Sequence, residues 1–434
     1  MLPESGRCDV GGADYSVGMA DDSVAPVPSV HRPRTVTEVA EVVRLASREA
    51  VPLTVVSGGH GPWSHGPAAG VRLELGELSQ VEVDGSTVRI GGGAVWGDVA
   101  TALAAHGLAL SSGDTASVGV GGLTLGGGIG WMARAWGLAV DQLIGAQVVT
   151  ATGEVVEASA DAHPELFWAL RGGGGNFGVV TRFDFAAHPL PGIAFSESRI
   201  DGDEAAVLKA TRDLLRDAPR ELTVTYMDVP PMDPSAPAGA RLSAVWAAPE
   251  PDRLRAVMEP ISALDGVQTE VTTPAYREVL LEMPAPEGEE PASPPGFIGG
   301  NGLYAELDDA LIAQLVAFRR SYPASVLFLR SLGGAIRDVA QEDTAFPARA
   351  ANWFVLAGAF DIPGLIDDET RAAIDADWSV IERGRLAEYG NFADTERPQA
   401  VSGMFSEDAL ARLRATKAAW DPQNLFHRNH NITV

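Results

Sequence analysis

The sequence of 434 residues contains one cysteine, Cys8. Disulfide frameworks, cysteine zinc sites and iron–sulfur clusters each need several thiols, so none of the three is expected. No apolar run is long enough to cross a bilayer, and the lack of any Gly-Lys pair excludes a phosphate-binding P-loop. The N-terminal segment has no basic stretch followed by an apolar one, so it gives no secretion signal and we expect a cytoplasmic protein.

Basic residues are few, because the chain has 32 Lys and Arg against 58 Asp and Glu, a formal net charge of −26. A surface of this charge repels phosphate backbones and anionic membranes, so we expect neither nucleic acid nor a membrane as partner. Hydrophobic residues make up 46% of the chain, which is typical of globular proteins. The length exceeds the roughly 100–200 residues of one domain, so two lobes are expected.

The N-terminal part mixes helix and strand patterns. Thr35, with Glu38 three residues later, forms a capping-box pattern, and the apolar spacing beyond it predicts a helix ending near Ala50. We then expect a buried strand, a meander of short strands, a helix and a strand pair, at residues 51–56, 71–75, 81–83, 88–90, 94–106 and 146–158. This lobe is therefore predicted to be α+β with mixed strands.

The middle of the chain has longer strand candidates, separated by predicted helices over 203–217 and 308–321. This pattern suits a sheet covered by helices on one face. Residues 283–296 are rich in Pro and Glu and form either a lid or an inert surface loop, of which the loop is the commoner outcome for this composition. A last helix over 406–420 precedes a polar C-terminal tail.

Glycine is concentrated in four runs, at residues 57–61, 91–93, 112–130 and 172–178. Glycine leaves no Cβ between backbone N–H groups and a ligand, so such runs can surround a pyrophosphate. Their grouping favours a phosphate-bearing cofactor held by backbone, and the alternative is a set of tight turns in a compact β-rich lobe.

The last glycine run also matches the dinucleotide fingerprint G-x-G-x-x-G, through Gly173, Gly175 and Gly178. That fingerprint must follow a strand and open a helix. Here it follows a predicted helix over 164–170 and leads into a predicted strand over 179–185. A Rossmann site is therefore not expected.

Several longer motifs resemble one flavoprotein family. VVSGGHG (55–61), IGGGAVWGD (90–98), SVGVGGLTLGGGIG (117–130), DAHPELFWALRGGGGNFG (161–178) and WDPQNLFHRNHNI (420–432) together resemble the berberine-bridge-enzyme-like branch of the vanillyl-alcohol oxidase and p-cresol methylhydroxylase flavoproteins. The resemblance covers most of residues 30–190 and 385–434 in the family's order. The middle of the chain matches only loosely.

The resemblance implies a two-lobed α+β fold that binds FAD. Residues 1–190 would form the FAD-binding domain from two α+β subdomains. Residues 191–395 would form an inserted substrate domain, an antiparallel sheet covered by helices, and residues 396–434 would return to the FAD domain. The implied activity is an FAD-dependent oxidase of a small organic molecule, such as an alcohol, sugar, amine or specialised metabolite.

The resemblance also implies that His60 is joined through its ring to the 8α-methyl of the flavin. Neutral imidazole is a competent nucleophile near neutral pH. Many relatives attach the flavin again through a cysteine where this chain has Thr115, so a single link is expected, as in the hydroxynicotine oxidases that the chain also resembles at Leu123. The alternatives are a loop-capping His60 or a metal pair with His65, which lacks accompanying carboxylates or thiols.

Further flavin contacts are implied along the matching motifs. In relatives, a small residue at the position of Val120 leaves room for dioxygen beside the flavin. Val120 therefore favours an oxidase that produces hydrogen peroxide. The tail asparagines would return to the flavin, with a simple strand that ties down the C-terminus as the alternative. The implied contact residues are Ser57, Gly58, Gly59, Gly61, Thr115, Ser117, Gly119, Val120, Gly122, Gly126, Gly127, Gly130, Val179, Asn429 and Asn431.

The catalytic base departs from the family pattern. Where relatives carry a tyrosine or histidine, this chain has Phe392, which cannot take a proton. Tyr389 is the nearest phenol in sequence and is a candidate base, with a core or FAD-contacting role as the alternative. Tyr226 and Tyr304 lie on strand-like segments and are further candidates to face substrate. A neutral amine substrate would lose hydride without a strong base.

Two other functions compete with the oxidase. One is a flavin-dependent dehydrogenase or oxidative cyclase that uses another electron acceptor. The other is a protein that binds flavin and ligand without turnover, which the missing base favours.

Overall fold

The structure is a computed structural model that describes residues 29–61, 64, 70–230, 239–282, 296–362, 364–393 and 400–434. Cys8, His65 and residues 283–295 of the Pro- and Glu-rich segment lie outside these ranges.

The helices in these ranges are α1 (Val36–Glu49), α2 (Trp96–Ala104), α3 (Val120–Gly126), α4 (Ala133–Trp136), α5 (Pro164–Leu170), α6 (Glu204–Arg216), α7 (Pro251–Ser262), α8 (Asp309–Ser321), α9 (Asp368–Ile381), α10 (Ala400–Met404) and α11 (Glu407–Trp420). The strands are β1 (Ser29–His31), β2 (Leu53–Val56), β3 (Val71–Glu74), β4 (Val81–Asp84), β5 (Thr87–Gly91), β6 (Leu108–Ala109), β7 (Leu143–Val149), β8 (Val155–Ser159), β9 (Val179–Ala186), β10 (His188–Pro189), β11 (Ala194–Ile200), β12 (Leu222–Val229), β13 (Gly239–Trp246), β14 (Val267–Thr272), β15 (Phe297–Tyr304), β16 (Ser325–Ser331) and β17 (Trp353–Phe360).

Local sequence signals set several of these boundaries. The Thr35 side chain accepts a hydrogen bond from the Glu38 N–H at 3.2 Å and begins α1, and Ala50 ends it in the left-handed conformation. Asp203, Asp308 and Ser406 cap α6, α8 and α11 in the same way, since short polar side chains satisfy the free N–H groups of a first turn. The predicted helices and the hairpins β4–β5 and β7–β8 are confirmed.

The first lobe contains two main sheets. One has the order β1-β3-β2 with parallel pairing, and the other has the order β4-β5-β9-β7-β8 with antiparallel pairing. The predicted meander is therefore wrong for β3, which belongs to the parallel sheet. Parallel pairing with β2 places Val71 and Leu73 in the same buried cluster as the apolar face of α1, so tertiary burial decides the partner of this strand.

The second lobe is built on one antiparallel sheet of order β14-β11-β13-β12-β16-β17-β15. Helices α6, α7, α8 and α9 cover one face and share a hydrophobic core with it. Because side chains alternate along a strand, Leu327 and Leu329 lie under the helices, whereas Phe328 and Arg330 lie on the opposite face. We call this opposite face, which these four helices do not cover and which packs in part against residues of the first lobe, the open face.

Two tyrosines of this lobe lie on its helical side. Tyr226 and Tyr304 are 2% and 1% exposed and belong to the core shared with the helices. The Tyr304 hydroxyl donates to the carbonyl of Ile381 at 3.2 Å. The expectation that these phenols face substrate is therefore wrong, because alternation along β12 and β15 turns them away from the open face.

A buried ion pair holds the root of the C-terminal tail. The Lys417 ammonium is fully buried and contacts Asp421 at 2.7 Å. It also donates to the carbonyls of Asn176 and Phe426, at 2.8 and 3.0 Å. Residues 421–434, all of which are described, form no strand, so the alternative of a C-terminal strand is wrong and side-chain contacts fix the tail instead.

None of the helices in the described ranges is both long enough and apolar enough to span a bilayer.

Candidate cofactor and substrate site

The first three glycine runs meet at one place in the first lobe. A Cβ on Gly58 would lie 2.2 Å from the backbone nitrogen of Gly119, and one on Gly119 would lie equally close to that of Gly58. The Ser57 hydroxyl donates to the Gly92 carbonyl at 2.8 Å and accepts from the Gly121 N–H at 3.3 Å. The three runs therefore meet through close contacts between backbones and through the Ser57 hydroxyl.

His60 lies at the edge of this junction. Its Nε2 is 2.9 Å from the Ser117 hydroxyl, and Nδ1 has no hydrogen-bond partner in the described part of the chain. The Ser64 hydroxyl donates to the carbonyls of Gly59 and Gly61 on either side, at 2.7 and 2.6 Å. Desolvation by the surrounding protein lowers the pKa of His60 below its usual 6.5, against a smaller upward effect of Ser117. The ring is therefore neutral at neutral pH.

Two of the predicted contact glycines have open space where a side chain would be. A Cβ on Gly122 would meet no atom within 4 Å. At Gly59, which has a φ of +77°, the nearest atom would be 3.9 Å away. These glycines leave room for a ligand against the backbone.

Gly126, Gly127 and Gly130 are glycines for another reason. A Cβ on each would lie 2.6 Å or less from protein atoms, at Gly126 from the side chain of Asn391. Close packing within the protein accounts for these three residues, and their contact with a cofactor stays a prediction.

The C-terminal tail lies against the fourth glycine run. Asn176 donates to the carbonyl of His430 at 3.1 Å, and its Oδ1 accepts from the N–H of Ile432 at 3.0 Å. Asn429 Oδ1 and Asn431 Oδ1 are buried and accept no hydrogen bond from any described residue. Buried carbonyl oxygens need donors, and FAD carries N–H and O–H groups that supply them. The residues therefore fit the expected cofactor.

Tyr389 lies behind the third glycine run. Its oxygen accepts from the N–H groups of Gly128 and Ile129, at 3.0 and 3.4 Å, and from Asn391 at 2.8 Å. Burial raises the pKa of Tyr389 to about 12, although the three donors oppose this rise. A phenol in this position is a poor base at neutral pH, and the geometry favours the alternative of a core residue. Phe392 is 48% exposed.

The remaining predicted contacts differ in accessibility. Val120 is fully buried in the core that contains Trp96, and Val179 is 1% exposed beneath α1. Thr115 is half-buried and pairs with Leu281 in an isolated bridge. The roles of these three residues towards flavin and dioxygen stay predictions.

Sequence reasoning missed an ion pair between the lobes, which we call the Asp114–Arg330 pair. Arg330 on the open face contacts Asp114 at 2.8 Å and donates from Nε to Thr225 at 2.9 Å. Its guanidinium lies 4.6 Å from the ring centre of Trp131 and 5.2 Å from that of Phe328. Asp114 directly precedes Thr115, a predicted flavin contact, and this position could have marked Asp114 as a candidate site residue. Nothing in the sequence pairs it with a residue 216 positions away.

The described residues contain no group of three or more His, Cys, Asp or Glu side chains that could hold a metal ion. The proposed partner of His60 in a metal pair, His65, lies outside those residues.

The chain matches two protein families. Residues 27–159 match the family described as FAD binding domain, and residues 388–433 match the family described as berberine and berberine like. The two matches fall on the first lobe and on the C-terminal segment, where the glycine runs and the tail meet.

Individual proteins are similar over different lengths. An FAD-linked oxidoreductase of Pyricularia oryzae is 30% identical over 92% of this chain and 83% of its own length. The (R)-6-hydroxynicotine oxidase of Paenarthrobacter nicotinovorans is 43% identical, but over only 36% of this chain and 34% of its own. Among solved structures, the glucooligosaccharide oxidase of Acremonium strictum, with 6-S-cysteinyl, 8α-N1-histidyl FAD, superposes with a TM-score of 0.79 and 25% identity, covering 94% of this chain and 92% of that one.

Proposed function

Because the chain belongs to the berberine-bridge-enzyme-like FAD-linked oxidoreductases, we propose that it oxidises a small organic molecule and uses molecular oxygen as the electron acceptor. Its relatives are named FAD-linked oxidoreductases, and some of the similar proteins are named oxidases. Bound FAD supplies the chemistry that the side chains lack, a two-electron acceptor whose N5 takes hydride. The chain's own residues hold the cofactor, position the substrate and exclude water.

We further propose that the flavin is attached through Nδ1 of His60. The observation that supports this proposal is the hydrogen bond between Nε2 and the Ser117 hydroxyl at 2.9 Å. It leaves Nδ1 as the ring nitrogen without a hydrogen-bond partner among the described residues. The glucooligosaccharide oxidase carries FAD with an 8α-N1-histidyl link, which supports a histidyl attachment in a protein of this fold. The lowered pKa of His60 keeps its ring neutral, and in the tautomer whose Nε2 donates to the Ser117 hydroxyl, Nδ1 is the unprotonated and nucleophilic nitrogen.

A single attachment follows from the residue at the second position. A 6-S-cysteinyl link requires a thiol, and Thr115 has a hydroxyl in its place. The one cysteine of the chain, Cys8, lies far from Thr115 in sequence. We therefore assign FAD with one covalent link.

The substrate lies between the open face and the glycine runs in this proposal. Phe392 is exposed, and its ring centre is 5.1 Å from that of Phe354, so this wall is apolar. Since Phe392 cannot accept a proton and Tyr389 is buried with a raised pKa, the proton of the substrate must pass to another group or to solvent.

The test is anaerobic reduction of the purified holoenzyme, followed by mixing with oxygen. Cellobiose, chitobiose, 4-hydroxybenzyl alcohol and 6-hydroxynicotine serve as donors, and hydrogen peroxide is measured after reoxidation. We expect bleaching by at least one donor and peroxide in a one-to-one ratio with reduced flavin. Bleaching with slow reoxidation would support the dehydrogenase instead, and a flavin that none of the donors bleaches would contradict the oxidase.

A further inference from the structure

The Asp114–Arg330 pair differs from an ordinary clamp between the lobes. Asp141 and Arg349 form such a clamp, with both carboxylate oxygens bonded to separate guanidinium nitrogens at 2.7 Å. That guanidinium also donates to Thr344 at 2.6 Å, and both charged side chains are 5% exposed or less. Both carboxylate oxygens of Asp141 therefore already accept short hydrogen bonds from within the protein.

In the Asp114–Arg330 pair, by contrast, one guanidinium nitrogen and one carboxylate oxygen make no short hydrogen bond among the described residues. Nη2 donates to Oδ2 of Asp114, and Nε donates to Thr225, but Nη1 has no acceptor in the described part of the chain. Oδ1 of Asp114 receives only a long contact of 3.4 Å from Thr115. Arg330 is 2% exposed, whereas the Asp114 side chain remains 21% exposed. One donor of Arg330 and one acceptor of Asp114 thus remain without a short hydrogen bond among the described residues.

Packing fixes both members in place. The guanidinium lies over the face of Trp131, a contact that favours a cation. On the other side, the carbonyl of Asp114 accepts from the N–H of Leu281 at 2.6 Å. The free donor and acceptor are therefore preorganised, which reduces the entropy cost of binding a ligand.

The pair also lies next to the proposed reaction centre. Asp114 belongs to the third glycine run, which would hold the flavin, and Arg330 belongs to the open face, which would bound the substrate. This placement rests on the function proposed above.

We propose that the Asp114–Arg330 pair binds a hydroxyl group of a neutral substrate. Nη1 of Arg330 donates to the hydroxyl oxygen, and Oδ1 of Asp114 accepts its O–H. The two charges cancel, so a substrate carboxylate gains no net attraction and meets the repulsion of Asp114. The recognised class is therefore a neutral hydroxylated molecule, such as a sugar or an aromatic alcohol.

The experiment measures binding to the holoenzyme under anaerobic conditions, through the change in flavin absorbance immediately after mixing. The neutral probes are cellobiose, chitobiose and 4-hydroxybenzyl alcohol, and the charged counterparts are cellobionate and 4-hydroxybenzoate. We expect at least one neutral probe to bind at least tenfold more tightly than its carboxylate. Failure of every neutral probe to bind, or tighter binding of the carboxylates, would overturn the assignment.

Two variants locate the contact. Asp114→Asn and Arg330→Lys should each weaken binding of the neutral probe by about tenfold to a hundredfold, the range for a hydrogen bond to a charged group. In turnover the loss should appear in KM more than in kcat. Unchanged affinity in both variants, with intact flavin absorbance, would contradict the proposal.

The matched control is Asp141→Asn, which disrupts the clamp and should lower the melting temperature while leaving probe affinity unchanged. If that variant does not fold, Asp228→Asn replaces it, since Asp228 pairs with Arg319 at 3.0 Å away from the site. A flavin that binds probes but is reduced by none would count against the proposed oxidase and leave the binding result intact.

Discussion

The two lobes form their parts of the site in different ways. In the first lobe, backbone packs against backbone, as where Gly58 meets Gly119. In the second lobe, side chains that alternate along β12, β16 and β17 are divided between a helical core and the open face. A site made from backbone requires glycine at fixed positions and is therefore visible in a sequence. A site made from alternating side chains is not.

The largest expected effect is in the backbone junction. Gly119→Ala places a methyl group 2.2 Å from the nitrogen of Gly58, and neither backbone can move without breaking the junction. We expect loss of folded protein, measured as soluble yield and cooperative melting. Gly122→Ala is the control, because its new methyl group meets no protein atom.

The control variant should fold normally, since alanine is the better helix former. Its flavin content should nevertheless fall if Gly122 contacts the cofactor. Equal stability of the two glycine variants would show that the first lobe does not depend on the close approach of its glycine runs.

Next in size is the buried ion pair beneath the tail. Lys417→Met leaves Asp421 charged and unpaired in the core, at a cost of about 3–5 kcal/mol in the free energy of unfolding. Chemical denaturation measures the loss. The double variant Lys417→Met/Asp421→Asn should recover part of the stability, and a double variant no better than the single one would contradict the pairing.

A smaller effect is expected at Tyr389. Tyr389→Phe leaves the N–H groups of Gly128 and Ile129 without their acceptor, at a cost of about 1–3 kcal/mol for buried unsatisfied groups. The pH dependence of flavin reduction should keep its shape, because the phenol is not the base in this account. Loss of a basic limb from the pH profile would instead identify Tyr389 as the proton acceptor.

The smallest effect concerns the pH dependence of flavin attachment. His60 has a pKa below 6.5 in the folded chain, so more than half of the rings are neutral at that pH. Attachment of FAD to apoprotein should therefore keep more than about half of its pH 8 rate at pH 6.5 and slow further at lower pH. A rate that has already fallen by more than half at pH 7 would indicate a raised pKa and contradict this account.

The same physical effect has a consequence for stability. The unfolded chain binds a proton at His60 more readily than the folded chain does, because the folded-state pKa is the lower one. His60 thus contributes to stability above its unfolded-state pKa, and this contribution is lost as the pH falls from that value through the lower folded-state pKa.

Local signals predicted most elements of the fold. The cap at Thr35, the turn at Gly153 and the helix that begins at Pro164 each depend on neighbours within a few residues. The partner of β3 was mispredicted, because the choice between a parallel and an antiparallel neighbour depends on which face α1 buries. Sequence alternation gives the face of a strand and leaves its partner undetermined.

In the site, too, features set by nearby residues were predictable and features set by distant contacts were not. The glycine runs and the neighbourhood of His60 with Ser117 could be anticipated, since the motifs bring both into one loop system. The Asp114–Arg330 pair could not, because it joins a loop of one lobe to a strand of the other. A core position for Tyr389 was anticipated only as an alternative to a base, because its packing against Phe346 and Phe354 joins distant parts of the chain.

The attachment of the flavin to His60 is tested most directly by acid precipitation of the purified protein, followed by proteolysis and mass analysis of the yellow fraction. We predict that the flavin stays with the pellet on a peptide containing His60, that His60→Ala releases it, and that no flavin mass is found on the peptide containing Thr115. The control His106→Ala, at an exposed histidine outside the junction, should keep a covalent flavin. Flavin that leaves with the supernatant, or that maps to any other residue, would contradict the attachment through His60.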